Sequence, residues 1–113
     1  MALSGQLKRI SGPAFLANAA ADIYTPPAAT IFTVIKHIHV DNVTAGAVTF
    51  TLYVGATGGS TAGTELFKGY SVPANSSYDY YCNMKMVSTD FLSGLASAAS
   101  SLTIVVEGEQ VVV

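Results

Sequence analysis

Only 11% of the 113 residues are charged, against about 25% in an ordinary soluble domain, while 50% are hydrophobic. The length suits one domain and excludes a second catalytic one. The net charge is −2, and the fixed cations Lys8, Arg9, Lys36, Lys68 and Lys85 are too scattered for a nucleic-acid stripe, which needs clustered Lys and Arg.

No apolar run approaches the roughly 18 to 20 residues that a membrane helix requires, so no membrane partner is expected. The opening Met-Ala-Leu-Ser-Gly-Gln has no basic stretch leading into a long apolar core, and the expectation is a protein made in a cytoplasm without a secretory signal. Cys82 is the one cysteine, so an intrachain disulfide is excluded, and it reads as a small buried hydrophobe. A surface this poor in charge must be built from small and weakly polar side chains, which suits permanent contact with neighbours.

Residues 1–22 form an extended arm or an edge strand. The pieces 5–10 and 14–17 lack a helical period, and a helical turn over 19–22 would be stopped by Pro26 and Pro27. Within this arm Leu7, Lys8, Arg9 and Phe15 are interface candidates. Residues 23–113 are expected to form a single antiparallel β-sandwich of jelly-roll type, because β-branched and aromatic residues recur in short runs between turn residues.

The first strand of that domain spans 31–41 and is long enough for a bulge, with Phe32, Val34, Ile38 and Val40 on one face and Lys36 as the exception. A second spans 47–54, with Val48, Phe50, Leu52 and Val54 facing the core. The glycine-rich stretch 55–63 is a mobile surface or a contact ordered by a partner. It is no phosphate loop, since no Gly-Lys-Ser or Gly-Lys-Thr follows to open a helix. Further strands are expected at 65–72, 78–87, 91–96 and 102–113. Residues Tyr78, Tyr80, Cys82, Met84 and Met86 form the core face of the fourth. Tyr81 then lies on the opposite face, exposed and suited to a contact, and Tyr53 is a second aromatic of this kind.

His37, His39 and Asp41 share one strand face and offer three ligands to zinc or a similar ion, but the spacing demands little and equally fits a solvated or intersubunit face. No metal site is assigned from it, no cofactor is expected, and a pH-sensitive contact at the histidines is the other option. The carboxylates Asp79, Asp90, Glu107 and Glu109 read as exposed strand and turn charge. With no nucleophile elbow or catalytic triad spacing, the chain is not expected to be an enzyme.

The segments Ile23-Tyr-Thr-Pro-Pro, Ile35-Lys-His-Ile-His-Val-Asp-Asn-Val-Thr and Val48-Thr-Phe-Thr-Leu-Tyr-Val-Gly resemble small β-rich virion structural proteins of tailed bacteriophages. So do Leu66-Phe-Lys-Gly-Tyr-Ser-Val-Pro-Ala-Asn, Leu92-Ser-Gly-Leu-Ala-Ser-Ala and Leu102-Thr-Ile-Val-Val-Glu-Gly. The resemblance covers residues 23–112 and implies a noncatalytic virion part of the head-decoration or minor tail type. It implies a capsid decoration (cement) protein first, bound to the major capsid protein as a homo-oligomer, with a trimer favoured. A tail or head-to-tail protein is the alternative. A host-surface carbohydrate-binding module, with Tyr53 or Tyr81 and the 55–63 loop at its ligand site, is a third option.

Overall fold

The computed structural model describes residues 4–28, 30–56 and 58–112. Among the described residues eight strands follow one another: β1 (Ser4–Phe15), β2 (Ala21–Tyr24), β3 (Thr30–Asn42), β4 (Val48–Gly55), β5 (Glu65–Val72), β6 (Ser77–Val87), β7 (Phe91–Ala96) and β8 (Leu102–Val112). Their antiparallel pairings are nested: β4 with β5, β3 with β6, β2 with β7 and β1 with β8. The chain is thus one long hairpin, wound so that alternate pairs fall into opposite layers. Contacts between β8 and β3 and between β7 and β4 complete two four-stranded sheets, β1-β8-β3-β6 and β2-β7-β4-β5. That order is an eight-stranded jelly roll.

Strand length sets the shape. Thirteen residues at about 3.3 Å each make β3 some ~43 Å long, and the molecule measures 51 × 26 × 19 Å with a radius of gyration of 14.1 Å.

Alternation places Val48, Phe50 and Leu52 of β4 and Leu102, Ile104 and Val106 of β8 in the core. The interior is not uniform along its length. Phe50, Phe67, Tyr78 and Tyr80, with the exposed Tyr70 at the margin, pack with ring centroids 4.4–6.4 Å apart, in mostly tilted and edge-on arrangements that suit the ring quadrupole. Elsewhere the filling is polar: Gln110 Nε2 donates to the Tyr24 hydroxyl at 2.6 Å, and that hydroxyl lies 2.8 Å from Thr33 Oγ1. Buried Asn42 ties down the β3–β4 turn, donating to the carbonyls of Gly46 and Val72 and accepting from the Thr44 amide and hydroxyl. Among the described residues no buried side-chain polar atom lacks a partner, as a low-dielectric interior demands.

Three sequence expectations need correction. First, β3 changes face in its middle. Ile35 pairs with Gly108 and His37 with Glu107, so Lys36 is an extra residue relative to β8. Thr33 and Ile35 therefore point inward before the bulge, and Ile38 and Val40 after it. Phe32 and Val34 do not join the core face; Phe32 lies on the outside under the Lys85 ammonium, 4.7 Å from its ring centroid.

Second, the expected arm holds two strands rather than one: residues 21–24 form β2, because pairing to β7 supplies the hydrogen bonds that a single helical turn over 19–22 could not. The expected division between 22 and 23 falls inside this strand. Residues 4–15 lie on the chain's own sheet as edge strand β1, while residues 1–3 of the expected arm lie outside the described residues. The free edge of β1 carries Lys8, Arg9, Pro13 and two register shifts, devices that discourage unwanted strand addition. Gly12 is required at the second shift: its φ is 83°, and a Cβ there would collide with the Ile104 carbonyl.

Third, the glycine-rich loop is tethered. Ser93 Oγ donates to the Gly59 carbonyl at 2.6 Å and Gly58 packs on the Phe91 ring, so the loop covers part of the outer face of β7. Ser93 is fully buried as a result. Thr57, within the loop, lies outside the described residues.

Candidate functional site

The outer face of β1-β8-β3-β6 concentrates the chemistry. Register places Arg9, Glu107, His37 and Tyr81 in one row across its four strands. The bulge at Lys36 sets this row, since it turns Lys36 and His37 outward in succession. Leu7, Lys8, Arg9, Lys36, His37, Tyr81, Glu107 and Gly108 line one open depression of about 480 Å³. Four of the six interface candidates, Leu7, Lys8, Arg9 and Tyr81, are thereby brought together. Leu7 is 75% exposed and Tyr81 73%, and both border this one depression.

Phe15 and Tyr53 lie elsewhere. Phe15, 54% exposed, borders a smaller depression of about 170 Å³ with Ser11, Ala14 and Ile23. Tyr53 is on β4 of the other sheet, half-buried, so it shares no surface with Tyr81. Tyr81 and the 55–63 loop likewise belong to opposite sheets, which separates two of the parts expected at a single carbohydrate site.

His37 is the centre of the row. Its Nδ1 lies 2.9 Å from Glu107 Oε1 on β8, its Nε2 lies 2.8 Å from Asp79 Oδ1 on β6, and Tyr81 stacks flat on the ring at 4.3 Å and 3°. His39 Nδ1 is 2.6 Å from the same Asp79 oxygen. The hydrogen bond to Glu107, reinforced by Asp79, raises the His37 pKa above its ordinary 6.5. Hydrogen bonds from His39 and then His37 lower that of Asp79 below 3.8. The His37 contribution to stability is full below 6.5 and fades as pH climbs through the raised value. That of Asp79 is full above 3.8 and fades in acid, so both act together between those values.

The expected trio of His37, His39 and Asp41 is corrected by this geometry. The donor atoms that converge within 4.8 Å belong to His37, His39 and Asp79, and Asp41 is not among them. Successive same-face residues on a strand are about 6.8 Å apart, whereas directly paired residues on adjacent strands approach to about 5 Å. Asp79 is the direct partner of His39, while Asp41 pairs with Ser77. The sequence offered Asp79 and Glu107 only as exposed charges, since their proximity to His37 exists only once the register is known.

No protein-family model matches this chain, and no curated protein matches it. Solved structures do. A Bacillus endospore appendage protein, from a family of disulfide-linked pili, superposes with a TM-score of 0.54 at 20% identity, over 98% of this chain and 88% of that one. A protein of the infectious bursal disease virus Gx strain gives 0.57 at 9% identity, and the VP2 subviral particle of the same virus gives 0.51 at 9%. These cover 97% and 98% of this chain but 32% of each viral chain, so the jelly roll spans about a third of the viral subunit. At such identities the likeness is one of fold: a β-sandwich used in virus particles and in a pilus.

Proposed function

We propose that this chain is a noncatalytic virion structural protein that decorates the outer surface of a bacteriophage head and adds contacts between capsid subunits. The observation that carries the reading is the bare outer face of β1-β8-β3-β6, where Leu7 and Tyr81 stand exposed around one depression on a molecule otherwise poor in charge. Rigid aromatic and aliphatic anchors rimmed by Lys8, Arg9 and Lys36 suit a protein interface. The fold shared with proteins of virus particles supports a structural role; the resemblance to tailed-phage proteins spans head-decoration and minor tail types, and the small size and charge-poor composition favour decoration. The capsid partner is the major capsid protein, and a trimer is the favoured form, because repeated weak contacts gain strength through symmetry.

The pilus likeness is less favoured as a guide to assembly. Joining subunits into a fibre through disulfides takes two cysteines per subunit, and these 113 residues contain one. Cys82 is half-buried, its thiol donates to the Ile35 carbonyl at 3.3 Å, and burial raises its pKa, so it is a poor thiolate.

The test is co-sedimentation with phage heads lacking the protein, together with the mass in solution by light scattering. Wild-type protein should bind to saturation, and Leu7→Asp with Tyr81→Ala should bind at least tenfold more weakly while keeping its fold. Equal binding by the double variant, or no binding to heads by the wild type, overturns the reading. Deleting residues 1–17 is unsuitable here, because it removes β1 and leaves β8 paired on one side only.

A further inference from the structure

We propose that His37, His39 and Asp79 form a binding site for a divalent transition-metal ion of the zinc type, with Glu107 as the positioning residue. Two imidazoles and one carboxylate present donor atoms within 4.8 Å of one another from two adjacent strands of one sheet. Zinc takes such nitrogen and oxygen donors at about 2.0 to 2.2 Å, and in a tetrahedral set neighbouring donors sit about 3.4 Å apart. The His37–Asp79 and His39–Asp79 separations of 2.8 and 2.6 Å are hydrogen-bond lengths. Reaching the tetrahedral spacing asks the half-exposed Asp79 carboxylate to swing back by less than about 1 Å and the half-exposed His39 ring to turn toward His37, because the donor atoms are spread over as much as 4.8 Å.

What distinguishes this trio from a pair of surface histidines is how His37 is held. A metal-binding histidine ordinarily gives its other ring N–H to a carboxylate, which fixes tautomer and orientation. Glu107 occupies that place: it accepts a hydrogen bond from Nδ1–H at 2.9 Å and leaves Nε2 facing Asp79. The flat Tyr81 ring fixes the remaining rotation of the imidazole. The bulge at Lys36 is what aligns His37 with both Glu107 and Tyr81. Three protein donors leave at least one position for water, since the site lies on an exposed face.

Imidazole donors favour zinc, nickel and copper over magnesium or calcium. The proposal is independent of whether the protein decorates a capsid.

Untagged full-length protein, stripped with chelator, is titrated calorimetrically with zinc chloride alone. One zinc per chain is expected, accompanied by a rise in the thermal midpoint. His39→Ala and Asp79→Asn should each weaken binding by more than tenfold, Glu107→Gln by about tenfold, and Asp41→Asn should bind like the wild type. The unfolding midpoint of each variant in chelator separates loss of the site from loss of the fold, and His39→Gln stands in should His39→Ala prove unstable. Absence of stoichiometric zinc binding at 100 µM by the wild type, or undiminished binding by folded Asp79→Asn, overturns the proposal. Equal loss on Asp41→Asn also overturns it, because the donors would then be those of one strand.

Discussion

The two outer faces of the sandwich are finished differently. On β2-β7-β4-β5 the chain covers part of itself: the glycine-rich loop folds back, its Gly59 carbonyl takes the Ser93 hydroxyl, and Ser93 is sealed from water. On β1-β8-β3-β6 no loop among the described residues folds back in this way, and Leu7, Tyr81 and the histidine cluster face outward. Both sheets obey the same alternation, so the contrast comes from loops and bulges. A covered face uses up its own hydrogen-bonding groups, while a bare one keeps them for another molecule.

The largest effect should come from a feature that the faces share. Gly108 in β8 and Gly94 in β7 each sit where a neighbouring backbone closes in, and a Cβ would strike the Val34 or the Thr51 carbonyl. Gly108→Ala and Gly94→Ala should each cost about 3 kcal/mol through forced strand separation, read from urea unfolding. If one is tolerated, its sheet is the more pliable of the two. Ser93→Ala acts on the covered face alone and should cost about 1 kcal/mol, with faster protease cleavage within residues 56–64. An unchanged cleavage rate would mean that the loop does not depend on that tether.

Alkaline pH probes the inner side of β6, behind the bare face. Burial holds the Tyr78 phenol and the Cys82 thiol above their ordinary values. The unfolded chain then releases these protons first, binds fewer than the folded protein, and stability must fall as pH rises beyond about 9. Urea midpoints at pH 8 and pH 10 should show that loss, and Tyr78→Phe combined with Cys82→Ser should reduce it. The smallest change belongs to Tyr81→Ala. Despite its stacking on His37, a side chain this exposed should alter stability by less than about 0.5 kcal/mol. A larger loss would show that the bare face is part of the scaffold.

Much of the architecture was legible because β4, β6 and most of β8 alternate between a core face and an outer face, while β5 and β7 show as short runs bounded by turn residues. The expected 65–72 and 91–96 coincide with β5 and β7. The edge strand β1 gave a weaker signal, since its described side chains up to Arg9 are all exposed and its two register shifts break any period. The parity change in β3 was hidden for a related reason: nothing in Ile35-Lys36-His37 distinguishes a bulge from continued alternation, and the difference lies in the pairing with β8. The histidine cluster was half legible. His37 and His39 announce themselves by spacing, but Asp79 and Glu107 arrive from strands 40 and 70 residues away, and only register brings them in.

The pairing of Ser4 with Val112 makes the first and last strands neighbours along their whole length. Passenger peptides inserted before β1 and after β8 would therefore leave from the same end of one sheet, close enough together for two halves of a split tag to meet.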